Sequence, residues 1–417
     1  MSLRQIIERE IVENGTIPFS RYMELCLYHP ELGYYSRNAE QFGKAGDFYT
    51  SSDVHAVFGR LLARQFEEIW RMLGSPAQIE VLELGPGRGL FAQDVLDWSE
   101  RKFPDFFGAL HYSFSERSPA LRGKLRETMA RFLARERVSL LHGEDSGNAG
   151  SGGLGGTTAE ITTGKLATGK GTTSVVPNSA MLGRALAPEV PLLIFANEFF
   201  DALPVEIVST RGSLRISIHD NRLTETWASA SAEEQEFLDR YSVHPEPGER
   251  IEVPLLAHRC ISNLGASIRT GVIIAIDYGY TRQEQLAGRH RGTVMAYRQH
   301  SATPDPYEAP GEQDITAHVN FTALAAATEE NGMEAQPLLT QSQFLMGIGE
   351  PNQFGDVFGE CRLPQERAKV ALQLKHLVTP AGMGESFQVL VAAKGRDAER
   401  VAGLSGLSFA RSRLQGI

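Results

Sequence analysis

Glu83, Gly85, Gly87 and Gly89 fall at alternate positions in VLELGPGRGLFAQDVL, residues 81–96, with Pro86 between the first two glycines. Glycine lets the backbone take positive φ and leaves no Cβ between the chain and a ligand. A helix opening directly after such a turn points its free N–H groups and its positive end at whatever lies above, preferably an anion. A dinucleotide fingerprint starting at Gly85 needs glycine at position 90, where Leu90 stands. The Glu83 carboxylate repels a pyrophosphate but suits a cation. S-adenosylmethionine carries an ammonium and a sulfonium, and its carboxylate can meet the helix end. The motif favours S-adenosylmethionine, with NAD or FAD, or a merely tight strand–helix turn, as the competing readings.

The elements that must position these residues follow from periodicity. Residues 79–84 form an apolar run of strand length, and Leu90, Phe91, Val95 and Trp98 recur at helical spacing behind the glycines. The next strand, 111–116 (HYSFSE), ends in Glu116, and Ser118-Pro119 supply a cap and first-turn proline for a helix with Leu121, Leu125, Met129, Phe132 and Leu133 on one face. In a doubly wound sheet this strand ends beside the first turn, where Glu116 can accept the ribose hydroxyls. A capping or surface acid is the plainer alternative. Residues 137–141, 191–196, 271–276 and 386–393 are further buried-strand candidates, so the expected class is α/β with a doubly wound sheet. Residues 203–227 alternate around Arg211-Gly212 and Asp220-Asn221, which predicts an antiparallel insertion.

Composition excludes other classes. A chain of 417 residues with a net charge of −10 and pI near 5.6 argues against nucleic acid as the main partner. Cys26, Cys260 and Cys361 are too scattered for a metal-ligand or redox pair, and no other metal cluster is visible. The N-terminus, with Glu8, Glu10 and Glu13, is unlike a transit peptide, and no run approaches the roughly 18 apolar residues of a membrane helix. The expected address is the cytoplasm, which makes the sequons at Asn14 and Asn320 incidental. Residues 147–171 hold nine glycines in 25 residues, and no aromatic occurs between Phe132 and Phe195, so a flexible loop is expected there. Gly164, Gly169 and Lys170 have P-loop spacing, but Gly171 stands where Ser or Thr would bind magnesium. Residues 19–49 are instead dense in aromatics, which suit either a small second core or a lid that brings Gly46, Asp47, Thr50, Ser51 and Ser52 to the pocket.

Taken together, IPFSRYMELCLYHPELGYY, GDFYTSS, LELGPGRG, SERSPALR, ANEFFDALPV, IDYGY, GTVMAYRQH and DITAHVNFTAL resemble the MidA-type family, over about residues 15–395. The members are S-adenosylmethionine-dependent protein arginine methyltransferases that assist assembly of respiratory complex I. The resemblance implies a class I methyltransferase sheet with a reversed last strand, an N-terminal helical cap and a substrate-facing insertion. It departs at the Gly/Thr-rich segment, where the family has a short connection with a Trp-His pair. Here His142 alone remains, leaving Glu144 or Asp145 to neighbour the adenine; Asp145 is the choice carried forward.

A sulfonium methyl is already activated, so transfer needs an in-line nucleophile and a dry site. An arginine nucleophile is cationic at all physiological pH and must be fixed and polarised by carboxylates. Asn197, Glu198 and Asp201, at the C-terminal end of the fourth strand, are the catalytic candidates, and Asn197 also faces the cofactor; helix capping is the competing role. Asp277 and Tyr278 end the fifth strand and are assigned to substrate, with a buried structural aspartate as the alternative. His300 and His318 read as loop or cap hydrogen-bonding residues. The expected layout is an N-terminal cap at 1–75, a cofactor half at 76–143, a Gly/Thr-rich insertion at 144–189, the remaining sheet at 190–395 with the substrate-facing insertion at 203–265, and a tail at 396–417. The expected activity is metal-independent methylation of a protein side chain, arginine of a complex I subunit, with homo-oligomerisation left open. A small-molecule methyltransferase and a cofactor-binding assembly chaperone without turnover are the alternatives.

Overall fold

The computed structural model describes residues 1–37, 56–141, 190–298, 301–395 and 398–414. Its central sheet is built on β1 (Ile79–Leu84), β2 (Leu110–Ser115), β3 (Val138–Leu140), β4 (Leu192–Asn197), β5 (Gly271–Tyr280) and β6 (Phe387–Lys394). The spatial order is β6-β5-β4-β1-β2-β3, parallel except for β6, which runs antiparallel to β5. This is the doubly wound sheet with a reversed last strand. Runs such as LLIFAN and GVIIAI are apolar on both faces because helices cover both sides. β1 and β4 lie side by side, Leu84 opposite Ala196, where the strand order reverses. Ligands of open α/β sheets bind in the crevice at that point.

Four helices fix the surroundings: α1 (Leu3–Asn14), α2 (Phe19–Tyr28), α3 (Ala56–Met72) and α4 (Leu90–Lys102). α3 and α4 bury Phe58, Leu61, Phe66, Phe91 and Val95 against one sheet face, together with Val81, Phe195 and Ile274. The helices Leu255–Ser267 and Phe321–Glu329 cover the other face through Cys260, Ile261, Leu264 and Leu324. α3, grouped with the cap at 1–75 in the sequence reading, is therefore part of the sheet's own core. The cap itself, α1 and α2, packs on a five-stranded antiparallel sheet made of Glu206–Ser209, Gly212–His219, Arg222–Ala228, Ile251–Val253 and the short strand Ile17–Pro18. Asp220 and Asn221, at φ 48° and 58°, make the tight hairpin turn expected of that dipeptide.

Two expectations are corrected. Residues 398–414 are not a free tail: Val401, Leu404, Leu407 and Ala410 recur every three residues and are buried with α3, while Ser405 donates from its hydroxyl to Glu68 at 2.6 Å. The helix after Ser118 breaks at Met129 into Pro119–Thr128 and Ala130–Leu133, although Leu121, Leu125, Met129 and Phe132 all stay buried. The lid candidates Gly46, Asp47, Thr50, Ser51 and Ser52, the adenine candidates Glu144 and Asp145, His142, His300 and the whole insertion at 144–189, with its near P-loop, lie outside the described residues.

Candidate functional site

β1 ends directly in the glycine turn, where Gly85, Gly87 and Gly89 take φ of 62°, 55° and 78°. An alanine at any of them would be strained, because a Cβ is crowded at positive φ. A Cβ at Gly89 would also stand 2.4 Å from Leu125, whereas one at Gly87 would meet nothing within 4 Å. The turn is thus closed below by the Pro119–Thr128 helix and open above Gly87. The amide of Gly89 donates to Pro86 at 2.9 Å, and Gly89 begins α4 with no side-chain cap. The first-turn N–H groups of α4 remain for a ligand carboxylate.

Glu116 lies one residue beyond β2 and meets this turn: it accepts from the Gly87 amide at 3.2 Å and the Ser118 amide at 2.8 Å. Burial pushes its carboxyl up to about 7, against those N–H groups, which favour the charged form. Ser118 caps the next helix and donates to the Tyr35 carbonyl at 2.6 Å, tying the cap to the cofactor half. Glu83 is 5 % exposed and accepts from the Tyr112 hydroxyl at 2.9 Å. Burial, with a smaller contribution from Glu116, pushes it up to about 8.

That shift has a measurable consequence. The carboxyl is raised above its unfolded value, so its contribution to stability is full below about pH 4.5 and is lost as pH rises through about 8. Glu83→Gln keeps an oxygen for Tyr112 and removes the titration. The melting temperature of ligand-free wild type is therefore expected to fall, relative to Glu83→Gln, between about pH 5 and 8. Parallel melting curves across that range would show that Glu83 does not titrate this way.

Beyond Asn197 no helix begins, so the capping role considered for Asn197, Glu198 and Asp201 has nothing to cap. The chain instead turns sharply, with Glu198 at φ 50°. The amides of Phe199, Phe200 and Asp201 donate to Asp277 Oδ2 at 3.2, 3.0 and 3.3 Å, and the Tyr278 amide donates to Oδ1 at 2.9 Å. Asp277, fully buried on β5, anchors that turn, which is the structural role the sequence left open. Burial and the carboxylates of Asp201 and Glu198 push it well above the ordinary range, despite four N–H donors. The Tyr278 hydroxyl donates to Asp201 Oδ2 at 2.5 Å, while the buried Asp201 Oδ1 has no side-chain partner among the described residues. Burial raises Asp201 to about 6. The Asn197 amide donates to Glu198 Oε1 at 3.1 Å, and Asn197 Oδ1 has no partner among the described residues. A Cβ on Gly85 would be 3.1 Å from the Phe199 ring, so the acidic turn and the glycine turn touch.

Sequence reasoning missed the residues that the cap side brings here. Tyr28 donates to the Ala202 carbonyl at 2.9 Å, and Tyr35 donates to Asp314 Oδ1 at 2.9 Å. The strings YHPELGYY and DITAHV contain them, but nothing local marks them as neighbours. His318 pairs with His290, Nδ1 to Nδ1 at 3.0 Å, and burial with that partner lowers it to about 4, so it is neutral near pH 7. Among the described residues no group of three metal-ligating side chains exists and no helix is long and apolar enough to cross a membrane.

Comparison with known proteins bears on the fold and the cofactor. The protein arginine methyltransferase NDUFAF7 homolog of Drosophila melanogaster is 28 % identical over 94 % of this chain and 85 % of its own length. Protein arginine methyltransferase NDUFAF7 of Homo sapiens is 27 % identical over 91 % and 80 %. A crystal structure from Burkholderia thailandensis bound to S-adenosyl-homocysteine superposes with a TM-score of 0.76 at 28 % identity, covering 97 % of this chain and 94 % of that one. Both NDUFAF7 proteins are mitochondrial, which overturns the cytoplasmic address expected above. The family model of S-adenosyl-L-methionine-dependent methyltransferases, Methyltransf_28, matches residues 61–338, a span that holds both turns, and the chain belongs to that family.

Proposed function

We propose that this methyltransferase acts on arginine in a protein, a subunit of respiratory complex I. The named activity of the NDUFAF7 relatives supports the reading. The observation that carries it is the gathering of Glu198, Asp201 and Asp277 beside the glycine turn, with no salt bridge to Asp201 or Asp277 among the described residues. Carboxylates close enough to oppose one another's ionisation call for a cation, and a guanidinium is the side chain that stays charged in such a place. An apolar small molecule would not offset them.

The residues present fit the cofactor. The opening over Gly87, the uncapped start of α4, the Glu116 carboxylate and the unpartnered Asn197 Oδ1 offer donors and acceptors for it, and Glu83 and Pro86 shape the turn from within. S-adenosylmethionine supplies an activated methyl group when bound. Glu198 and Asp201 hold and orient the guanidinium, Asn197 fixes Glu198, and the Phe199 ring sets the boundary between the two halves. Asp201, raised to about 6, takes up the proton that the guanidinium releases on methylation. Incubation with methyl-labelled S-adenosylmethionine and complex I subunits, followed by mass spectrometry, should place the label on arginine. Label on another residue type would refute the arginine reading, and tight cofactor binding without label would favour an assembly chaperone.

A further inference from the structure

The acidic turn has a second wall. Asp314 opens the strand Asp314–Thr316, is 6 % exposed, and belongs to a three-stranded sheet that packs against the cap. The Ala317 amide donates to the Asp201 carbonyl at 3.0 Å, which fixes the strand's end to the acidic turn. Tyrosines fill the surroundings. Tyr35 donates to Asp314, Tyr278 to Asp201, and Tyr28 to the carbonyl next to Asp201, with the Tyr28 and Tyr35 rings 5.4 Å apart. Tyr297 stands opposite Asp314 in that sheet, and after burial the charges of Asp201 and Asp314 are among those that raise Tyr28, Tyr35 and Tyr297. Arg117 stands over the Tyr28 ring at 5.3 Å and makes no salt bridge to Asp201.

We propose that Asp314 determines substrate specificity, forming with Asp201 a two-carboxylate slot walled by Tyr28, Tyr35, Tyr278 and Tyr297 that takes a guanidinium. The inference rests on the arginine reading and extends it. A planar cation with donors on several edges can meet carboxylates on two sides, whereas an ammonium is a point charge. Aromatic faces add attraction for a flat, weakly hydrated cation. The hydroxyls of Tyr35 and Tyr278 point their protons at the carboxylates, which holds those acids in place and in the charged form. The Oδ1 of Asp201, buried and without a side-chain partner among the described residues, is an acceptor for the incoming N–H groups.

The test titrates N-acetyl-arginine amide into the full chain saturated with S-adenosyl-homocysteine, alongside the citrulline and lysine counterparts. Wild type should bind the arginine probe, the lysine probe at least about tenfold more weakly, and the neutral citrulline probe not measurably. Asp314→Asn should weaken the arginine probe by at least about tenfold, the scale of one hydrogen bond to a charged group, with S-adenosyl-homocysteine affinity unchanged. Tyr35→Phe removes only a hydroxyl and should give a smaller loss in the same direction, which guards against a folding defect in the aspartate variant. Unchanged arginine binding in both variants, equal binding of lysine, or no binding by wild type would overturn the slot. Mass spectrometry of methylated subunits from the same wild-type preparation separates the failures: label on arginine leaves the proposed activity standing without the slot, and label elsewhere removes both.

Discussion

Glu198→Gln is expected to lower methyl transfer at least about a hundredfold, the scale of losing one electrostatic stabiliser in a reacting site. Glutamine keeps the shape of the side chain and an oxygen for the Asn197 amide, which donates at 3.1 Å in wild type. What is lost is the charge that holds a cation. Cofactor affinity should change by less than about tenfold, because the glycine turn and Glu116 carry most of that binding. No capping loss of thermal stability is expected, since no helix starts at Asn197. Glu198 also stands at φ 50°, a conformation that costs a non-glycine residue free energy and is concentrated at functional sites. Parallel measurement of melting temperature and labelled-methyl incorporation decides the matter, and near-normal turnover would strike Glu198 from the catalytic group.

Glu116→Ala should weaken S-adenosylmethionine binding by about 1.5–3 kcal/mol, the range for hydrogen bonds to a charged group, which is roughly ten- to 150-fold in affinity. Alanine also deprives the Gly87 and Ser118 amides of the two carboxylate oxygens that accept from them, so Glu116→Gln, which keeps an oxygen for one of the two, is the control. A pH dependence accompanies the mutation. Burial raises the carboxyl to about 7 in the ligand-free protein, and two ribose hydroxyls favour its ionised form. Binding therefore releases a proton, and affinity should decline as pH falls through about 7 in wild type but not in Glu116→Gln. Calorimetry at pH 6 and 8 reads both effects. Equal affinity and equal pH dependence in the two proteins would leave Glu116 with only its backbone contacts.

The positions of these two acids are legible in the sequence because their signals are local. A strand-length apolar run, three glycines and a helical repeat lie within 24 consecutive residues, 79–102, and the order of such units dictates a doubly wound sheet and the crevice at its reversal. Residues 398–414 escaped because their three-residue apolar spacing is short and weak, and only packing against α3 makes it count.

The sequence by itself determined the sheet, the glycine turn and the placing of Glu116, Glu198 and Asp201 at strand ends, since each depends on neighbours a few residues away. Only the tertiary structure decided what those ends do. Asp277 anchors a turn that lies 76–78 residues earlier in the chain, and Tyr35 reaches Asp314 across 279 residues. Neither pairing leaves a periodic trace, because a hydrogen bond between distant elements is set by how helices and sheets pack. The same packing buries Glu83, Asp201 and Asp277, half-buries Glu116, and thereby raises their affinity for protons. Desolvation belongs to the folded chain, and it turns acids that any surface could carry into a site that calls for a cation.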